Sequence, residues 1–178
     1  MTDPETSMLD AAMDGQNVEM DAEIAGLKER VRGSNINEQT LLATDYLNHF
    51  NEVVMLLQMV SDMPEILNEA RAWAPKSYED HFRESTVADR ELAIEVYPHV
   101  PANFKRAFEQ TIDQLNRLVE VVIDRLESQI EKDNQDHLRL VATESVRSIE
   151  RLMDVAGGII HGSSKTMDQA EIDALLQV

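Results

Sequence analysis

Between residues 101 and 160 the sequence prescribes a long helical hairpin. Phe104, Phe108, Ile112, Leu115, Val119, Val122, Leu126 and Ile130 recur at steps of three and four. That spacing lines one face of an α-helix and approaches a coiled-coil seam. A helix over 101–131 would be roughly 45 Å long. The polar run Lys132-Asp133-Asn134-Gln135-Asp136 reads as the turn. A return helix over about 136–160 carries Leu138, Val141, Ile149, Leu152, Val155 and Ile159 on a comparable stripe, and Gly157-Gly158 weakens its last turn. A seam this long needs a cover. Either two copies form a dimer with a four-helix core, or another segment of the same chain buries it.

The segment 37–60 is the best internal candidate. Asn37 can cap a helix whose apolar face is Leu42, Tyr46, Leu47, Phe50, Val53, Val54 and Leu57. Before it, a short helix over 20–32 places Ile24, Leu27 and Val31 together and stops at Gly33. After it, Asp62 can cap a short helix with Pro64 in its first turn, ending near Trp73. The stretch 74–103 is the least regular. Ser77 can cap a helix through Tyr78 and Phe82, and a further turn spans 89–95. Tyr97-Pro98-His99-Val100-Pro101 cannot be continuous helix, because its prolines remove donors and restrict their neighbours. It reads as a rigid connector over one end of the bundle. Residues 1–18 read as a disordered acidic tail. No alternating strand pattern and no internal repeat is visible.

Acidic residues outnumber Lys and Arg by 34 to 16, for a net charge of −18. Such a chain is repelled by nucleic-acid phosphates and by anionic membranes, and is attracted to basic protein surfaces. No nucleic acid and no membrane is therefore expected as a partner. The absence of cysteine removes disulfide and thiol chemistry. No apolar run approaches membrane-spanning length, and the acidic start carries no secretory pattern, so a cytoplasmic location is expected.

The stretch 169–178 reads Gln-Ala-Glu-Ile-Asp-Ala-Leu-Leu-Gln-Val. Ile172, Leu175 and Leu176 share one face of a short amphipathic helix. Asp168 and Glu171 have the spacing of a capping box. A helix this short is not stable alone and needs a groove, on its own body or on a partner. The order of residues from Gln169 to Leu176 resembles the N-terminal peptide of the flagellar switch protein FliM, which binds the phosphorylated chemotaxis response regulator CheY. More loosely, it is similar to the C-terminal peptide of the chemotaxis phosphatase CheZ. The resemblance covers about a twentieth of the chain. It implies a CheY-like receiver domain as partner. Ile172, Leu175 and Leu176 would fill the receiver's groove, with Gln169, Glu171 and Asp173 completing the contact surface and the two acids meeting basic residues on its rim.

The CheZ likeness raises an enzymatic alternative. Phosphatases of that type use an acid and a Gln at i and i+4 on a helix. The Gln positions the attacking water, and the acid pairs with the receiver's lysine. Glu131 and Gln135 have this spacing, and Glu131 and Asn134 have the Glu-x-x-Asn spacing of another phosphatase family. Both pairs fall at the hairpin turn. The family's usual Asp in a mid-helix run with Gly-Gln is absent, and the linker at 161–166 is much shorter. A solvated hairpin tip is the simpler reading, so no catalytic residue is favoured.

No phosphate-binding loop, dinucleotide fingerprint or His-Glu-x-x-His occurs. His49, with Asp45 before it and Glu52 after it, reads as a surface or half-buried imidazole held by an acid rather than a metal ligand. No metal and no cofactor is expected. The expected fold is all-α: a helical bundle over 19–160 containing the hairpin, a linker at 161–166, and a docking helix over 167–178. The expected function is non-enzymatic binding of a receiver domain in motility signalling. The alternatives are the receiver phosphatase and an acidic self-assembling scaffold.

Overall fold

The hairpin is the backbone of the molecule. In this computed structural model, which describes residues 22–132, 134–163, 165–167 and 169–177, two long helices run over Ala102–Glu131 (α6) and Gln135–Ile160 (α7) and pack along each other. The stretch 1–18, Asp133 and Asp168 lie outside the described residues, as do the side chains of Gln169 and Leu176. Pro101 stands just before α6, where its missing N–H costs nothing, and its carbonyl accepts from the Lys105 amide at 2.9 Å. Asn134 caps α7: its side chain accepts from the His137 amide at 3.1 Å.

Around the hairpin sit a helix over 22–31 (α1), Asn48–Met59 (α2), Leu67–Ala72 (α3), Tyr78–Glu84 (α4), Arg90–Val96 (α5) and Gln169–Gln177 (α8). Among the described residues there is no strand, only an isolated bridge between Ile36 and Ala43. The all-α reading therefore stands. No described helix is long and apolar enough to cross a membrane.

The seam finds its cover within the chain. α2 packs on α7, and α3 packs on α6. Leu115, Val119 and Leu126 of α6 are fully buried, as are Phe50, Val53 and Leu57 of α2. A second copy is not needed to keep this face from water. Ion pairs lie over the surface: Arg30 of α1 grips both carboxylate oxygens of Glu95 on α5, and Arg71 of α3 reaches Asp124 and Glu127 of α6. Exposed pairs of this kind add little to stability.

One expected element is corrected. The helix at 37–60 does not begin at Asn37. Residues 37–43 form a turn, followed by a 3₁₀ turn over Thr44–Leu47, and only then does α2 start. Two causes act together. The Asn37 side chain accepts from the Gln39 and Thr40 amides at 2.9 and 3.0 Å, holding the backbone in a local turn that competes with helix. Leu41, Leu42 and Ala43 are also all buried in succession, which no helix on a bundle surface can arrange, because neighbouring side chains diverge. Leu41 adopts φ 59° to do so, a left-handed conformation costing about 1 kcal/mol. The Thr40 hydroxyl then donates to the Ile160 carbonyl at 2.6 Å and ties the turn to the end of α7.

The stretch 74–103 belongs to the core and is not merely a cover. α4 and α5 pack on one another, and Tyr78, Phe82, Val96, Tyr97 and Val100 are buried. Ser77 caps α4 as its position predicts, accepting from the Asp80 amide at 3.1 Å. Ser77→Ala should therefore lower the unfolding free energy by about 1 kcal/mol, read from the midpoint of a urea titration.

Candidate functional site: the terminal helix and its seat

The chain reaches α8 through a folded turn. After α7, Gly162 takes φ 91°, and the Ser163 amide donates to the Gly158 carbonyl at 2.8 Å. A Cβ at Gly162 would lie 2.6 Å from the Gln39 side-chain oxygen, so the reversal is made beside the 37–43 turn. The segment expected to be a flexible linker thus begins as a helix terminator that points the chain back along the bundle. Met167 is partly buried against the core.

α8 lies on α6. The face expected to be apolar is the one turned inward: Ile172 is 6% exposed and Leu175 8%. Ala170, Glu171, Asp173 and Ala174 are exposed. Glu171 is 3.7 Å from Arg151 on α7. The groove that this helix needs is therefore present on its own body.

The seat is small. Burying an aliphatic side chain of this size contributes roughly 1.5–3 kcal/mol, and only two are described here. The Arg151–Glu171 pair is about half exposed and contributes no more than about 1 kcal/mol.

The enzymatic alternative fares differently. Glu131 is the last residue of α6 and Gln135 the first of α7. The i, i+4 spacing therefore spans the turn and does not lie on one helix. The Gln135 amide donates to the Ser61 carbonyl, and the Asn134 side chain is engaged in capping α7. Among the described residues of the turn, both side-chain amides, those of Asn134 and Gln135, are thus already engaged.

His49 is a second correction. It is 2% exposed, and the neighbouring acids do not hold it. Its ring stacks on Trp73 with centroids 4.6 Å apart, meets Phe50 at 5.6 Å, and lies 6.0 Å from His81. The Trp73 indole N–H donates to the His49 carbonyl at 3.1 Å. His81 in turn lies 5.5 Å from Tyr46. Each histidine hydrogen-bonds one backbone group, Ala74 for His49 and Asp45 for His81, while Nε2 of each is buried without a hydrogen-bond partner among the described residues. Burial above all, then the charges of Lys76 and His81, pushes the His49 imidazole down to about 4. Burial also lowers His81. The signal was available in the spacing: His49 shares the stripe of Tyr46, Phe50 and Val53, the core face of α2. Among the described residues no group of three or more His, Asp or Glu side chains could hold a metal ion.

The geometry thus leaves a docked amphipathic helix as the strongest candidate for a functional surface. Compared with protein-family models, with curated proteins and with solved structures, the chain matches none.

Proposed function

We propose that this chain is a non-enzymatic, cytoplasmic interaction protein whose C-terminal helix leaves its seat and binds the receiver domain of a chemotaxis-type response regulator, modulating motility signalling. The supporting observation is an amphipathic helix whose described apolar face, Ile172 and Leu175, occupies a groove of the kind such a peptide needs. The receiver as partner rests on the order of residues 169–176 and its likeness to the FliM peptide. Ile172 and Leu175 cannot serve both grooves at once, so self-docking competes with the partner. The apparent dissociation constant is the intrinsic one divided by the undocked fraction.

The test compares the full chain, a chain ending at Thr166 and the isolated peptide 166–178 for binding to phosphorylated and unphosphorylated receiver. The peptide should bind more tightly than the full chain. Leu175→Ala with Leu176→Ala should abolish binding while the helical circular dichroism of the body persists. Arg151→Ala, which loosens the seat, should tighten receiver binding by up to about fivefold. Equal binding by the chain ending at Thr166 removes the proposal.

The burial of Ile172 and Leu175 favours one other reading, in which α8 is a permanent part of an acidic scaffold. Amide exchange separates the two. Protection across 169–177 as strong as in α6 supports the scaffold, and exchange far faster than in α6 supports the detachable helix.

A further inference from the structure

The residues of α2, Asn48–Met59, include one acidic side chain, Glu52, and no Lys or Arg, in a chain of which 28% of residues are charged. The shortfall lies on the face turned from the core. Phe50, Val53, Val54 and Leu57 are buried, which leaves Asn48, Asn51, Glu52, Met55, Gln58 and Met59 outside. These stand at steps of three and four, so they form a second stripe opposite the first. α6 fills the same kind of position differently: its exposed residues include Glu109, Asp113, Arg117, Glu120 and Asp124.

Exposed apolar surface collects on this stripe as well. Four large apolar side chains are exposed among the described residues. Three of them, Met55, Met59 and Met63, follow one another at steps of four on α2 and the turn after it, and the fourth, Leu140, is on α7. Met55 is 63% exposed. A methionine-rich face poor in charge has the composition of an interface core. We infer that this face of α2 is a contact between two copies of the chain, packed antiparallel about a two-fold axis at Met55. It is separate from the hairpin seam, which the chain covers itself, and from the terminal helix.

Charge selects a second copy as the partner. At −18 the chain draws basic proteins to its acidic faces, and a neutral face adds nothing to that attraction. Two copies repel each other instead, and they approach closely only where neither carries its charge. The polar residues fit the same partner. A carboxylate only accepts hydrogen bonds and cannot pair with its own kind, whereas an amide donates and accepts and can pair with another amide. A two-fold contact sets one surface against itself. With the axis at Met55, each Met55 meets its copy, Asn51 falls opposite Met59, and Glu52 falls opposite the Gln58 amide. The two Glu52 side chains then stand about 9 Å apart along the helices, at about 1.5 Å per residue.

Size sets the strength. A helix of 12 residues is about 18 Å long, and one face of it buries less than the roughly 800 Å² per partner of a standard interface. The dimer is therefore weak and forms as concentration rises.

Sedimentation equilibrium of the full chain at physiological salt, from about 10 μM to about 1 mM, tests this. The average mass should climb from 20.2 kDa toward twice that value along a monomer–dimer curve. Met55→Glu and Met55→Lys should each weaken association at least about tenfold, because the axis sets the new charge against its copy. An equimolar mixture of the two variants should associate about fivefold more tightly than either alone, since opposite charges then face each other. Leu140→Glu places the same charge on the exposed apolar residue of α7 and should leave association within about twofold. Unchanged helical circular dichroism verifies that each variant is folded, and Met59→Glu repeats the test one turn along. Any of four results would overturn the inference: a chain monomeric to about 1 mM, association untouched by Met55→Glu, an equal loss in Leu140→Glu, or a mixture no tighter than its parts.

Discussion

Phe108→Ala should lower the unfolding free energy by about 3–5 kcal/mol, the largest effect expected of any single truncation here. Phe108 is 1% exposed and stands where α6 meets the aromatic cluster. Its ring lies 5.5 Å from Tyr46 and 6.0 Å from Tyr78, each in an edge-to-face arrangement. Those tyrosines cannot collapse into the space it would leave. The Tyr46 hydroxyl donates to the Lys76 carbonyl at 2.8 Å, and the Tyr78 hydroxyl accepts from the Ala43 amide at 2.9 Å. The cavity would stay open, and the cost of truncation grows with the volume that remains. Equilibrium urea unfolding of both proteins gives the difference. A loss below about 1 kcal/mol would mean that the cluster repacks and that the hydroxyl anchors do not hold it.

Acidification should act on the same region through His49. Between about pH 7 and about pH 4.5 the protein should lose roughly 2–3 kcal/mol of stability from this one side chain. The folded imidazole is held down to about 4, whereas an unfolded histidine titrates near about 6.5. Above the unfolded value both states are neutral, and the full stability is present. As the pH falls through it, the unfolded chain takes up a proton that the folded one refuses, and stability drops. Below the folded value both states are charged, and the loss levels off. The surroundings set this sign: burial comes first, Lys76 and His81 oppose the charge, and Glu84 favours it only weakly. His49→Gln keeps a donor for the Ala74 backbone and removes the titration. The gap between wild type and variant should therefore narrow by that amount from neutral to acid pH, measured by urea unfolding at each pH. A gap that does not change with pH would show that His49 is hydrated and titrates normally.

The parts of this fold that could be read from the sequence are those in which one physical signal repeats. Nearly thirty residues of unbroken helical spacing from Phe104 to Ile130 left one solution for α6, and its ends at Ala102 and Glu131 fall where Pro101 and the polar turn place them. Ser77 and Gly33 marked helix ends because their roles are local. The turn at 37–43 was not legible. Asn37 before Leu41 and Leu42 has the appearance of a capped helix, and the local turn at Asn37 together with the tertiary burial of three successive side chains overrides it. His49 was misread for a related reason. The acids beside it in sequence, Asp45 and Glu52, act on His81 instead, while the Trp73 and His81 rings that enclose it arrive from α3's end and from α4. At the terminal helix the inward face was legible, but its seat was not. Which groove receives Ile172 and Leu175 depends on how Gly162 turns the chain beside Gln39, and no pattern within 169–178 carries that information.

The clasp between Thr40 and Ile160 joins groups 120 residues apart in the chain. The hairpin needs only a tight turn to bring its two arms together, so it can assemble early and at small entropic cost. The clasp can close only after both arms exist and the N-terminal third has come round to meet them. Folding order is thereby written into the topology: the pillar first, the wrapping second, and the knot that secures the wrapping last.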